Sequence, residues 1–234
     1  GQGDNQLFVN DGTGRFTDQT ATRGIDLPPV GQSDLGSQTH ELSVADVNLD
    51  GHLDLLVLQW HIGVYGPAAL DAITSTLRAK GGTDPLRVTP CDASSINAAA
   101  GYPSTGSEPL RSGLFLNDGT GHFRNATDDY DLPLDEIVAF TGTFADLDRD
   151  GDQDLGITGD GCTSRLFRND NGERFTDITD TAGVGTDENG MGAVMRDIDR
   201  DGDLDWFITA ISYPTPDGNC PVDGVTNGCS GNRL

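Results

Sequence analysis

Short apolar runs recur along the chain, each interrupted by a cluster of Asn, Asp and Gly. Leu7-Phe8-Val9 and Phe16 flank Asn10-Asp11-Gly12-Thr13-Gly14. Leu114-Phe115-Leu116 and Phe123 flank Asn117-Asp118-Gly119-Thr120-Gly121, and Leu166-Phe167 and Phe175 flank Asn169-Asp170-Asn171-Gly172. Asn and Gly tolerate positive φ, so each cluster between apolar runs predicts a β-hairpin. A second pattern follows 31 to 39 residues later in each case. It reads Asp46-Val47-Asn48-Leu49-Asp50-Gly51-His52-Leu53-Asp54, then Asp146-Leu147-Asp148-Arg149-Asp150-Gly151-Asp152-Gln153-Asp154. The third copy is Asp197-Ile198-Asp199-Arg200-Asp201-Gly202-Asp203-Leu204-Asp205. Runs rich in apolar residues on both sides predict strands at 42–45 and 55–58, 141–145 and 155–158, and 193–195 and 206–210.

Self-similarity at a fixed period is the strongest architectural signal a sequence carries. Leu114 to Leu166 is 52 residues and Asp146 to Asp197 is 51. One unit is therefore four short antiparallel strands in about 50 residues. The units cover about 5–58, 112–160 and 164–211 of a single region, 1–234. Two inserts interrupt the period. The first, 59–112, reads as a decorated loop with one helix over 68–80, whose Leu70, Ile73 and Leu77 share a face between Pro67 and Gly81. The second, 212–231, reads as a loop. Both ends of the sequence fall at one phase of the repeat, and three units fall short of the four to eight blades of a propeller. The expectation is an arc of a larger domain, completed by the rest of a longer chain or by neighbouring chains.

Composition narrows the class. The 234 residues carry a formal net charge of −24, and 33 of the 38 acidic side chains are Asp. Glu is the better helix former; Asp, with 32 Gly beside it, belongs to turns and to hard-cation sites. An all-β chain follows. Lys80 is the single lysine and no basic patch exists, which argues against nucleic acid and anionic membrane as partners. Apolar runs of about five residues rule out insertion by a membrane-spanning helix, which needs about 20.

The aspartate repeat has a chemistry of its own. Acidic or amide residues at positions 1, 3 and 5 curl oxygens around one point, and Gly at position 6 makes the sharp turn. Position 7 offers a carbonyl. The all-oxygen donor set selects Ca²⁺ or Mg²⁺ over softer metals, and several carboxylates on one loop favour Ca²⁺. An EF-hand would need a Glu at position 12, where Val57, Ile157 and Ile208 stand, and a helix where strand is predicted. The closing carboxylates are instead Asp54, Asp154 and Asp205. The expected ligands are thus Asp46, Asn48, Asp50, His52 and Asp54, then Asp146, Asp148, Asp150, Asp152 and Asp154, then Asp197, Asp199, Asp201, Asp203 and Asp205. Three Ca²⁺ sites are expected. Apolar residues at positions 2 and 8 (Val47, Leu53, Leu147, Ile198, Leu204) are expected to pin the loops into a core, with Gln153 as the exception.

Together the two patterns resemble the FG-GAP and VCBS repeat family, whose calcium loops occur in integrin α chains, cartilage acidic protein and secreted bacterial proteins. Phe175-Thr176-Asp177-Ile178-Thr179-Asp180-Thr181-Ala182-Gly183-Val184 is similar to the bacterial and cartilage-acidic branch. The resemblance implies a seven- or eight-bladed β-propeller, extracellular or cell-surface placement and structural calcium. Asn48 in place of Asp, and His52, imply a weaker first site.

No nucleophile motif and no ligand-spaced His pair is present, so catalysis is not expected. The sequence suits recognition of an extracellular protein or a glycan. A polysaccharide-degrading enzyme's propeller domain and a structural subunit of an extracellular assembly are the alternatives. Trp60, His61 and Tyr65 at the start of the first insert read either as an aromatic anchor or as a ligand-stacking loop. Cys220 and Cys229 are close enough to staple the second insert, and Cys91 and Cys162 follow equivalent strands; two disulfides or free thiols fit the count.

Overall fold

The structure, a computed structural model, describes residues 5–25, 38–60, 112–134, 137–160, 164–185 and 190–210. Strand propensity and Asn-Asp-Gly turn chemistry give twelve strands among the described residues, in chain order. These are β1 (Phe8–Asn10), β2 (Phe16–Asp18), β3 (Gln38–Ala45), β4 (Asp54–Trp60), β5 (Gly113–Asn117) and β6 (Phe123–Asn125). They continue as β7 (Val138–Ala145), β8 (Asp154–Asp160), β9 (Arg165–Asn169), β10 (Phe175–Asp177), β11 (Gly190–Arg196) and β12 (Asp205–Ala210). Apart from two 3-10 turns, the described residues contain one helical turn, Thr179–Ala182. The helix predicted over 68–80 lies outside the described residues.

Among the described residues the strands form two four-stranded antiparallel sheets, β3-β4-β5-β6 and β7-β8-β9-β10, and two two-stranded ones, β1-β2 and β11-β12. Each four-stranded sheet joins the aspartate-loop hairpin of one sequence unit to the Asn-Asp-Gly hairpin of the next. Leu55 pairs with Phe115 and Leu155 with Phe167 across that join. A repeated pattern can be cut at any phase, and only the ladder between β4 and β5 shows where a blade begins. The first insert consequently leaves from inside a blade, between β4 and β5.

The long hairpins stack face to face. Gly142 makes this approach possible: a Cβ there would come within 2.8 Å of both Leu56 and Leu58 on the preceding sheet. Ser43 Oγ donates to the Gly142 carbonyl at 2.6 Å, and one sheet further on Thr141 Oγ1 donates to Met191 O at 2.8 Å. The core lies between sheets and takes in Leu56, Leu58, Leu114, Leu155, Ile157 and Phe167. Each ladder of a long hairpin shifts register at one equivalent place, between Thr39 and Glu41, Ala139 and Thr141, and Gly190 and Ala193. Such bulges increase the local twist.

A hydroxyl latch closes each short hairpin. Asp18, Asn125 and Asp177 accept from the Oγ1 of Thr20, Thr127 and Thr179 at 2.6, 2.7 and 2.6 Å. Each Thr Oγ1 in turn accepts from the backbone N–H of Leu7, Leu114 or Leu166 at 2.8 to 3.0 Å. Asn125-Ala126-Thr127, a glycosylation triplet by sequence, is the second copy of this latch, with Asn substituting for Asp as acceptor.

Candidate metal centre

Each aspartate loop joins two long strands of one sheet. Gly at position 6 stands at φ 88°, 100° and 98° (Gly51, Gly151, Gly202). Leu49, Arg149 and Arg200 at position 4 also adopt the left-handed conformation, at φ 61°, 64° and 66°. Only sharply curled backbone brings positions 1, 3 and 9 together, and a non-Gly residue pays that strain in all three copies.

Position 9 is a hub. Asp54 and Asp154 are buried, and their Oδ2 atoms accept from the loop's own Val47 N–H at 3.0 Å and Leu147 N–H at 2.8 Å. Their Oδ1 atoms accept from Asn117 N–H at 2.9 Å and Asn169 N–H at 2.8 Å, on the next hairpin of the same sheet. Asp205 Oδ2 accepts from Ile198 N–H at 2.9 Å in the same way. Asn117 and Asn169 then donate their side-chain amides to Leu53 O at 3.1 Å and Gln153 O at 3.3 Å. The sequence presents these asparagines only as turn residues. Their recurrence at one position in all three hairpins was the signal for the second role.

Two loops gather carboxylates. Oxygens of Asp146, Asp148 and Asp154 lie within 4.8 Å of one another, and so do those of Asp197, Asp199 and Asp205. In the second loop, Asp146 Oδ1 and Asp152 Oδ1 are buried with no hydrogen-bond partner. A buried carboxylate oxygen without a donor is costly. An all-oxygen set with such atoms unpaired fits a hard divalent cation, so the residues present can hold one.

Electrostatics point the same way. Burial pushes the Asp54 and Asp154 carboxyls above the ordinary carboxylate range, and the neighbouring charges of their own loops add to the shift. Asp152 is pushed up to about 6, by burial first and then by Asp150 and Asp154. Carboxylates held this close, with Asp152 and Asp154 buried, favour a cation among them.

The first loop differs. Asn48 turns its amide to donate to Asp50 Oδ2 at 2.9 Å, which holds the Asp50 carboxyl below its usual range. Both oxygens of Asp46 are engaged, by Asp50 N–H at 3.0 Å and Gly51 N–H at 2.9 Å, as both oxygens of Asp197 are in the third loop, by Arg200 N–H at 2.6 Å and Gly202 N–H at 3.1 Å. Position 5 makes one local turn in every copy: Asp50, Asp150 and Asp201 accept from the N–H of residue 52, 152 or 203. Position 7 is individual. Asp152 is buried and accepts from Asn171 N–H at 2.8 Å, Asp203 is exposed and pairs with Arg149, and the exposed His52 lies against Gly119.

The expectation that positions 2 and 8 pin every loop into a core needs correction. Val47 is fully buried, but Leu53, Ile198 and Leu204 are exposed. What covers position 2 is the following sheet, from which Asn169 Nδ2 donates to Val47 O at 2.9 Å. Ile198 belongs to the β11-β12 sheet and has no such cover among the described residues. Trp60 is the last residue of β4, at the end of that strand away from the loop. His61, Tyr65, Cys91, Cys162, Cys220 and Cys229 lie outside the described residues.

A family model for the FG-GAP-like repeat matches residues 1–57 and 146–208, together just over half of the 234 residues. No curated protein matches the chain.

Proposed function

We propose, for a chain that belongs to the FG-GAP-like repeat family, a calcium-stabilised β-propeller module that recognises an extracellular protein or a glycan and has no catalysis of its own. One topological observation supports the reading. Aspartate loops and Asn-Asp-Gly turns occupy one end of the strands, as the Gly119–His52 and Asn117–Leu53 contacts show. The two long inserts leave from the other end, after β4 and after β12. The aspartate loops and the long inserts thereby stand at opposite ends of the strands, and in this reading recognition resides on the inserts.

Calcium takes three sites in this reading, held by Asp146, Asp148, Asp150, Asp152 and Asp154, by Asp197, Asp199, Asp201, Asp203 and Asp205, and by Asp46, Asn48, Asp50, His52 and Asp54. The second is the tightest, because its buried oxygens are already desolvated and unpaired. The first is the weakest, because Asn48 contributes no charge and turns its amide to Asp50. Bound metal supplies positive charge to the loops and thus folding free energy. At calcium about a thousandfold above Kd the stabilisation from one site is about 4 kcal/mol. Calorimetric titration of calcium is expected to resolve two tighter sites and one weaker, with melting temperature rising in step. Absence of heat and of any melting shift would remove calcium from the proposal.

Recognition has its own test. A glycan array probed in calcium and again in chelator is expected to give glycan-selective binding that the chelator abolishes. Silence in both conditions, with calcium binding intact, would shift the role to that of a structural subunit.

A further inference from the structure

The turn between β9 and β10 departs from the other two hairpin turns. Where Asn10-Asp11-Gly12-Thr13 and Asn117-Asp118-Gly119-Thr120 end on Gly and Thr, Asn169-Asp170-Asn171-Gly172 ends on Asn and Gly. Asn171 and Gly172 both take the left-handed conformation, at φ 58° and 73°. Gly172 is buried, and a Cβ there would stand 3.0 Å from the backbone of Asn48, in the aspartate loop of the preceding sheet. A Thr, as in the other two turns, would press on that backbone and strain its own φ. Loss of the side chain thus lets this turn lie against the first loop.

The same turn holds the second loop. Asn171 N–H donates to Asp152 Oδ2 and Asn169 N–H to Asp154 Oδ1, each at 2.8 Å. Asn169 Nδ2 donates to Val47 O at 2.9 Å, and the buried Tyr130 donates its hydroxyl to Gly172 O at 2.8 Å from the preceding sheet. One turn therefore bonds positions 7 and 9 of the second loop and touches positions 2 and 3 of the first. Beyond its own hairpin, the Asn117–Gly121 turn hydrogen-bonds the first loop and Arg23 and, among the described residues, no second aspartate loop. Asp152 links this turn to the metal. The residue is 2% exposed, with Oδ2 on the turn and Oδ1 buried without a hydrogen-bond partner. A cation that takes Oδ1 fixes the carboxylate, and through Oδ2 the turn.

We propose that the first and second aspartate loops bind calcium as a coupled pair, with the 169–172 turn as their shared element; this rests on the calcium reading of the loops. Metal in the second loop seats the turn. A seated turn orders Val47 and Asn48 before their own metal arrives, so the first loop binds at a lower ordering cost. The third loop stands outside this relay. Among the described residues its hydrogen bonds to the second come from the exposed Arg149, a kind of contact that contributes little.

The test uses the full chain labelled with ¹⁵N-glycine. Gly51, Gly151 and Gly202 donate their N–H groups to Asp46, Asp146 and Asp197, so each reports its own loop as calcium is added. Asp148→Asn combined with Asp150→Asn empties the second loop from two exposed positions. These amides remove as much charge as one Ca²⁺ neutralises. The emptied variant and the loaded wild type therefore present the same formal charge to the first loop, and charge alone predicts no shift. The Gly51 midpoint is expected to rise at least about fivefold in the variant, with Gly202 unmoved. Exchange of the Gly172 amide, which donates to Asn169 Oδ1 at 3.0 Å, is expected to be faster in the variant at the same calcium level. In a Tyr130→Phe background, where Gly172 O loses its donor, the Gly51 rise is expected to shrink. An unmoved Gly51, an equal rise at Gly51 and Gly202, unchanged Gly172 exchange, or an undiminished rise in the Tyr130→Phe background would each overturn the coupling. Silence of all three reporter glycines in the wild type would overturn the calcium reading itself.

Discussion

Asp154→Ala is expected to destabilise the calcium-loaded protein far more than the metal-free protein. The side chain is buried, and its two oxygens accept the Leu147 and Asn169 N–H groups at 2.8 Å each. Alanine leaves both donors buried and unpaired, at about 1–3 kcal/mol apiece, so about 4 kcal/mol in all. Against a typical stability of 5–15 kcal/mol this threatens the fold. A second effect has the opposite sign. Burial raises the Asp154 carboxyl above its usual range, so without metal its charged form destabilises the folded state. Removing the group relieves that cost when calcium is absent and removes a ligand when calcium is present. Urea denaturation with calcium and with chelator separates the two effects. Equal losses in both conditions would exclude Asp154 from the metal site, and no loss in either would exclude the hub. Asp54→Ala is the internal comparison, since it breaks the same hub in the loop where Asn48 weakens the site.

Phe167→Ala is expected to cost about 4 kcal/mol, from the transfer of a buried ring and the cavity left behind. Phe8→Ala is expected to cost less than about 1 kcal/mol in the isolated chain, because the ring stays about half in water. The two residues occupy the same position in the same motif, Leu-Phe-x-Asn, and differ only in what covers them. Parallel denaturation curves of the two variants measure the difference directly at low protein concentration. Equal losses would mean that the ring of Phe8 is buried as deeply as that of Phe167.

Phe8 and Phe167 mark where the sequence stops being informative. Repeated Asn-Asp-Gly and Asp-x-Asp-x-Asp-Gly runs are local devices: turn angles and side-chain oxygens act over a few residues. Both could be read in order along the chain, and the strands they bracket appear where the patterns put them, extended by a few residues. Of the positions 1, 3, 5, 7 and 9 named from the sequence in each loop, positions 1, 3 and 9 gather their carboxylates in the second and third loops. The left-handed conformation of Leu49, Arg149 and Arg200 was not legible, since no residue there announces it.

The sequence by itself determined the fold class, the repeat, and which carboxylates share a loop, because each depends on contacts within about ten residues. Only the tertiary structure decided how units combine into blades: Leu55 meets Phe115 and Leu155 meets Phe167, pairings a repeating string leaves undefined. Tertiary contact also made the Asn117 and Asn169 backbone amides partners of the aspartate loops and buried Val47 while leaving Ile198 in water. The physical reason is common to all of them. Burial and cross-strand hydrogen bonds belong to pairs of segments far apart in the chain, so identical motifs take different roles according to the neighbour that packs on them.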